Sequence, residues 1–230
     1  MTIGIIGAMD EEVEILLENI TNKQQIIIAN CVFYTGNLKG KDVVLLKSGI
    51  GKVNAAMATT IMHERFSPEY VINTGSAGGY SDELDVGDIV ISTEIVHHDV
   101  DATAFDYAYG QVPGMPATYQ ADPKLTEKTI DAVKKLGVRA MTGIIATGDS
   151  FMNDPKRVSF VLEQFKDVIA LEMEAAAIAQ VCYQYDTPFV VIRALSDIAG
   201  KESSISFDTF LSKAAQNASQ LIITMIDNQR

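Results

Sequence analysis

Carboxylates, serines and glycines gather at a few places in this sequence, most of them directly after a short apolar run. The run at 3–6 leads into Gly7-Ala8-Met9-Asp10-Glu11-Glu12, and the run at 71–73 into Thr74-Gly75-Ser76-Ala77-Gly78-Gly79. Residues 143–146 precede Thr147-Gly148-Asp149-Ser150-Phe151-Met152, and residues 189–194 precede Leu195-Ser196-Asp197. A fifth group, Ala170-Leu171-Glu172-Met173-Glu174, enters a helical pattern. Side chains of these types can donate a proton, accept one, or grip hydroxyl groups. Each group also has a plainer reading. Asp10, Glu11 and Glu12 could simply favour a helix N-terminus. The stretch 75–79 could be a phosphate cradle or a tight turn, and it matches neither G-x-G-x-x-G nor a P-loop. Asp197 could be a helix cap or a turn residue. Glu172 and Glu174 could lie on a solvated face, but their neighbours Leu171, Met173 and Ala175 are apolar. At least one of the two is therefore expected in a buried region, where a carboxylate without a partner is costly.

Other chemistries find less support. The histidines are His63, His97 and His98. His63 lies beside Glu64 and Arg65 in a helical stretch and is expected at the surface. His97 and His98 sit at a strand end, where adjacent side chains point to opposite faces, so no metal site is expected. Cys31 and Cys182 are far apart, with no C-x-x-C or Cys/His ligand spacing, which fits free thiols in a reducing compartment. Cys182 has no base partner in view, and no G-x-S-x-G elbow is present. The net charge of -12 argues against nucleic acid, whose phosphates need clustered Lys and Arg. The N-terminus lacks a basic start, and no apolar stretch approaches the ~18 residues of a membrane span. A cytoplasmic protein with no membrane association is expected.

Positioning these residues requires a scaffold, and the patterning specifies its class. Apolar runs rich in Ile and Val at 3–6, 26–29, 43–46, 71–73, 89–92, 143–146 and 189–194 read as strands, several of them buried on both faces. Helical patterns alternate with them at 11–19, 54–66, 124–136, 155–165, 172–185 and 206–228. Asp122-Pro123 and Asp154-Pro155 are N-cap and first-turn signals, and Gly137 is a stop. The order predicts one α/β domain over residues 1–230, a three-layer sandwich with a central, mixed, largely parallel twisted sheet flanked by helices. Ligands of such sheets sit beyond the carboxyl ends of the strands, which is where the acidic groups fall. The stretch 99–121 resists assignment. It carries Phe105, Tyr107, Tyr109 and Tyr119 with Pro113, Gly114 and Pro116, too many aromatics for a solvated linker. A folded loop packed on the body or on a second subunit is expected.

The ordered set of motifs resembles one family along the whole chain, the 5'-methylthioadenosine/S-adenosylhomocysteine nucleosidases of the nucleoside phosphorylase-like superfamily. The matching segments run 3–12 (IGIIGAMDEE), 48–54 (SGIGKVN), 73–79 (NTGSAGG), 86–90 (VGDIV), 103–105 (TAF), 172–175 (EMEA) and 193–197 (RALSD). The resemblance implies an N-glycosyl hydrolase, needing neither metal nor organic cofactor, that releases adenine from methylthioadenosine, S-adenosylhomocysteine and 5'-deoxyadenosine. By it, Asp197 protonates purine N7, and Glu12 activates the attacking water with help from Ser76 and Arg193. Glu174 holds the ribose hydroxyls with Met173 against the sugar. Phe151 stacks on adenine, and the Met152 backbone reads its edge. Ala77, Gly78, Glu172 and Ser196 complete the binding wall. Met9, Ile50 and Phe207 shape the 5'-alkylthio pocket, which Phe105, Tyr107 and Pro113 reach from a second subunit of a homodimer. The family also implies a place in methionine salvage and S-adenosylhomocysteine removal. Asp10, Met152 and Ala102 depart from the family's usual residues without touching the implied chemistry.

The implied reaction suits carboxylates. Adenine is a poor leaving group as an anion, so protonation at N7 must precede or accompany bond breaking. An Asp can supply that proton only where its surroundings raise its pKa. The sugar then develops oxocarbenium character, which neighbouring carboxylates stabilise. The competing chemistry on this fold is phosphorolysis, which needs cationic groups around a dianion. The acidic first loop suits water instead, with Arg193 as the one residue that could contact phosphate. A non-catalytic nucleoside-binding protein is the alternative from another class, and it would be expected to lack Glu12, Glu174 or Asp197.

Overall fold

A computed structural model describes residues 2–80, 83–199 and 203–227, with the side chains of 203–206 left aside. Ten strands and six helices alternate along the described residues. The strands are β1 (Thr2–Gly7), β2 (Thr21–Ile28), β3 (Cys31–Leu38), β4 (Lys41–Lys47), β5 (Tyr70–Gly79), β6 (Ile89–His97), β7 (Tyr119–Gln120), β8 (Ala140–Thr147), β9 (Val168–Glu172) and β10 (Phe189–Ile198). The helices are α1 (Asp10–Asn19), α2 (Lys52–Phe66), α3 (Pro123–Leu136), α4 (Pro155–Gln164), α5 (Ala175–Gln184) and α6 (Ser203–Asp227). The predicted end of the last helix at Asn228 lies outside the described residues.

All ten strands join one sheet, a mixed α/β arrangement as the patterning predicts. The ladder is parallel through β4–β1–β5–β10 and through β6–β8–β9. It is antiparallel in the hairpins β2–β3–β4 and at the β10–β6 and β5–β9 seams. Those two seams matter for function. β5 pairs with β1 only over Tyr70–Asn73 and then exchanges that neighbour for β9 at Gly78 and Gly79. The circuit β5–β10–β6–β8–β9–β5 thus closes into a ring. An open sheet would splay its strand ends apart; closure brings them around one space.

Two apolar layers follow from the strand alternation. One face of the sheet, through Ile3, Ile5, Leu45, Ile72 and Ile192, packs under α1, α3 and α6. The other, through Ile6, Leu46, Val71 and Val191, packs under α2 and α5. Helix α5 is sealed along Ala175–Ala179 and at Val181 and Cys182, so it is apolar nearly all round, as a buried helix must be. The predicted caps form: Asp122 accepts from the Leu125 amide at 2.9 Å and Asp154 from the Lys156 amide at 2.9 Å.

Four expectations change. The stretch 75–79 is neither a cradle nor a turn but the continuation of β5, and Asp197 lies within β10 rather than at a cap. Glu172 ends β9 instead of starting a helix. His63 is buried, because the face of α2 that carries it meets α5; its ring stacks on Tyr185 and faces the Cys182 thiol. The unassigned stretch 99–121 holds a 3-10 turn at Thr103–Phe105 and ends in β7, which pairs with β6. Tyr109 anchors it between Phe160 and Phe165. Among the described residues, no helix is long and apolar enough to cross a membrane.

Candidate active site

The strand ends gathered by the ring surround a cavity of about 400 Å³. Its wall includes Met9, Glu12, Ile50, Ser76, Ala77, Gly78, Phe151, Glu172, Met173, Glu174, Ser196, Asp197 and Phe207. Thirteen of the residues marked in the sequence therefore meet around one space. Ala8, Leu171 and Asp208 also line it and were not marked. Ala8 carried a signal in its position beside Met9; Leu171 and Asp208 had none, because one is an ordinary strand hydrophobe and the other an ordinary helix carboxylate.

The first loop divides its acids. Asp10 is exposed and pairs with Lys47 at 2.7 Å, and Glu11 faces solvent. Glu12, at the third position of α1, turns back into the cavity. Its Oε2 accepts from the Ala8 amide at 2.8 Å and the Met9 amide at 3.2 Å. Its Oε1 accepts from the Ser76 amide at 2.9 Å and the Ser76 hydroxyl at 3.0 Å. Four donors converge on one carboxyl, the complement an acceptor-only carboxylate needs. Gly75 permits the approach: a Cβ there would stand 2.5 Å from Arg193 Nη1 and 2.7 Å from Glu12 Oε1.

Asp197 has the opposite surroundings. A register shift between Leu195 and Asp197 in the pairing with β5 breaks the alternation of β10. Ser196 then donates to Asp197 Oδ1 at 2.8 Å, the one hydrogen bond to this carboxyl among the described residues. Oδ2 faces Gly78, where a Cβ would stand 3.1 Å away. Burial pushes the Asp197 pKa up, and the Ser196 hydroxyl only partly counters it.

Glu172 and Glu174 flank the start of α5 and differ as sharply. Glu172 accepts from the Glu174 amide at 3.0 Å, the Ala175 amide at 2.9 Å, the Thr147 hydroxyl and Arg193 Nη2. It is a buried anchor that caps α5 and holds the arginine. Glu174 accepts from the Gly51 amide at 2.9 Å and lies 3.8 Å from Arg193 Nη2. Burial first, then the Glu172 charge, push its pKa up to about 8.

Arg193 does not line the cavity. It is fully buried behind it, bound to Glu172 and to Asn73 Oδ1 at 2.9 Å. Burial opposes its charge, but Glu172, Glu174 and Glu12 outweigh that and raise its pKa. Met152 is buried in a side cavity of about 30 Å³ that also touches Phe151, Gly78 and Asp197. Phe151 and Phe207 meet edge to face at 5.8 Å. Phe105 is 77% exposed, Tyr107 half-buried and Pro113 exposed, and none of the three lines this chain's cavity. His97 bonds Gln180 at 3.1 Å and His98 packs against Gly148.

Comparison with known proteins agrees in sequence and in shape. The family model described as the phosphorylase superfamily matches residues 2–227. A 5'-methylthioadenosine/S-adenosylhomocysteine nucleosidase of Oceanobacillus iheyensis is 62% identical over 226 residues, covering 98% of this chain and 99% of its own. One from Anoxybacillus flavithermus is 64% identical over 228 residues, covering 99% and 98%. The crystal structure of the Neisseria meningitidis nucleosidase in complex with methylthio-immucillin-A superposes with a TM-score of 0.97 at 47% identity, covering 98% of each chain. The chain is therefore a member of the phosphorylase superfamily and, within it, of the 5'-methylthioadenosine/S-adenosylhomocysteine nucleosidase family.

Proposed function

We propose that this chain, acting as one domain, hydrolyses the N-glycosidic bond of 5'-methylthioadenosine and S-adenosylhomocysteine, and also that of 5'-deoxyadenosine. The observation that carries the reading is the contrast of carboxylates around one cavity. Among the described residues Asp197 has a single donor, and its pKa is raised; Glu12 has four donors, and Glu174 stands between the start of α2 and the start of α5. Asp197 holds the proton that N7 of the purine requires as the bond to C1' lengthens. Glu174 accepts the ribose hydroxyls, whose hydrogen bonds favour its ionised form on binding. Glu12 takes the proton of the attacking water. The Ser76 hydroxyl can rotate away from Oε1 and leave that place to the water.

Phe151 stacks on the base, with the Met152 backbone along its edge. Met9, Ile50 and Phe207 receive the 5'-alkylthio group. Arg193 fixes Glu174 from behind rather than touching the substrate, and Glu172, in the cavity wall, braces both. Phe105, Tyr107 and Pro113 complete the 5' pocket of the second subunit in a homodimer; the exposure of Phe105 is consistent with that use. The activity belongs to methionine salvage and S-adenosylhomocysteine removal in the cytoplasm.

Phosphorolysis is the competing reading, and the lining disfavours it. No Lys or Arg lines the cavity among the described residues, and Arg193 is engaged by Glu172 and Asn73. The deciding experiment incubates the protein with methylthioadenosine in phosphate-free buffer and with added phosphate. Equal adenine release with free methylthioribose as co-product is expected. A strict phosphate requirement with methylthioribose 1-phosphate as product contradicts the reading.

A further inference from the structure

Beside the cavity lies a closed ring of polar contacts that the proposed chemistry leaves unused. Asp99, two residues beyond β6, binds Lys52 Nζ through Oδ1 at 2.5 Å. Its Oδ2 accepts from the Asp149 amide at 2.9 Å. Asp149 Oδ1 in turn accepts from the Lys52 amide at 2.7 Å, closing the circuit. Three loops that are remote in sequence are thereby fastened together: the start of α2, the end of β8 and the end of β6. Helix α2 has no cap from its own N-cap residue, Gly51, so Asp149 supplies one from another element. Gly51 has φ 94°, and a Cβ there would stand 3.1 Å from Asp149 Oδ1, so the close approach needs glycine.

What the ring holds is the substrate-facing part of two of those loops. Gly51, beside Lys52, donates to Glu174, and Ile50 lines the cavity. Phe151, two residues after Asp149, lines the same cavity. The Lys52 and Asp99 side chains are only 19% and 27% exposed, so this pair is shielded more than a surface ion pair. Resting on the nucleosidase reading, we propose that Asp99 is a positioning residue, which through Lys52 and Asp149 sets the distance between the Gly51–Glu174 sugar grip and the Phe151 base platform. It touches no reacting atom. Its loss should loosen the pocket before it slows chemistry, because misplaced binding groups weaken the complex.

The test compares Asp99→Ala, Asp99→Asn and Lys52→Met with the wild type, and with Asp131→Ala, which breaks an exposed ion pair to Lys134. KM and kcat for methylthioadenosine are measured, and adenine binding is measured by calorimetry. For Asp99→Ala, a rise in KM and in the adenine Kd of roughly tenfold is expected, with kcat within about threefold. Asp99→Asn, which keeps an acceptor for the Asp149 amide, should recover part of that loss. Lys52→Met should raise KM about threefold, and Asp131→Ala should change nothing. A purely structural role would lower the active fraction, so kcat would fall while KM and Kd stayed put; that result overturns the proposal. If Asp99→Ala does not fold, an unchanged KM and Kd in Lys52→Met overturns it instead. Failure of the wild type to release adenine would refute the nucleosidase reading, whereas the calorimetric comparison still decides the positioning claim.

Discussion

The Glu12–Ser76 corner and the Ser196–Asp197 corner of the cavity are built from the same kinds of residue and reach opposite ends. In the first, four donors from two segments, the loop that opens α1 and β5, surround a carboxyl. In the second, a strand irregularity leaves a carboxyl with one donor among the described residues, and burial raises its pKa. A hydroxyl neighbour is common to both, so the serine is not what separates them. Backbone amides are: the helix start and β5 supply three to Glu12, and among the described residues none reaches Asp197. The difference teaches that neighbouring backbone amides, not residue type, separate the surroundings of these two carboxyls; on the proposed reading that separation divides the acid from the base.

Substitutions can break that contrast in graded ways. The largest effect is expected for Asp197→Asn, which keeps the shape and removes the transferable proton. It should lower kcat for methylthioadenosine by about 10²–10⁴-fold while adenine binding persists in calorimetry. Glu12→Gln comes next. Its amide turns one acceptor into a donor facing donors, so a loss of roughly 10²-fold in kcat is expected, with an unchanged far-ultraviolet circular dichroism spectrum.

Glu174→Gln should act on binding and on the pH dependence of stability. The Glu174 pKa is raised on folding, so its contribution is full at low pH and is lost as pH rises from the ordinary carboxylate range toward about 8. The variant has no such titration. Its melting temperature should therefore fall less steeply than that of the wild type across that window, while KM rises about tenfold. A parallel decline in the two proteins would show that the Glu174 charge is relieved elsewhere. The smallest effect is expected for Phe105→Ala, a several-fold rise in KM for the 5'-thio substrates with less change for adenosine itself. Sedimentation should show whether the wild type forms the proposed dimer and whether the variant keeps it.

The sequence made some of this visible and concealed the rest for definable reasons. Strands β1, β4 and β10 are buried on both faces over their apolar runs and announce themselves, as do helices opened by Asp-Pro. β3 was missed because Gly36 and Asn37 interrupt its pattern and its middle is only half-buried. β9 has no signal of its own, and its last residue, Glu172, reads as a helix start, because VIALE runs without a break toward the alanines of α5. Its fate is settled by pairing with β8 and with Gly78–Gly79 of β5, contacts no local pattern encodes. The same closure hid the anchoring role of Glu172 and the withdrawn position of Arg193. Eleven of the thirteen wall residues lie in the strand-end groups, which stand out because small and acidic residues are rare in an otherwise apolar framework, whereas Ile50 and Phe207 are implied by the resemblance alone. The Asp99–Lys52–Asp149 ring was not, since each member alone reads as a surface charge.

The central claim is that Asp197 serves the leaving group and Glu12 the nucleophile. It is tested most directly by changing the leaving group. Turnover of methylthioadenosine and of a p-nitrophenyl 5-methylthioriboside, whose leaving group departs without a proton, should be measured for both variants. Asp197→Asn is expected to lose methylthioadenosine turnover by at least about 100-fold and nitrophenyl release by less than about tenfold, whereas Glu12→Gln loses both alike. Equal losses on both substrates in Asp197→Asn would contradict the account.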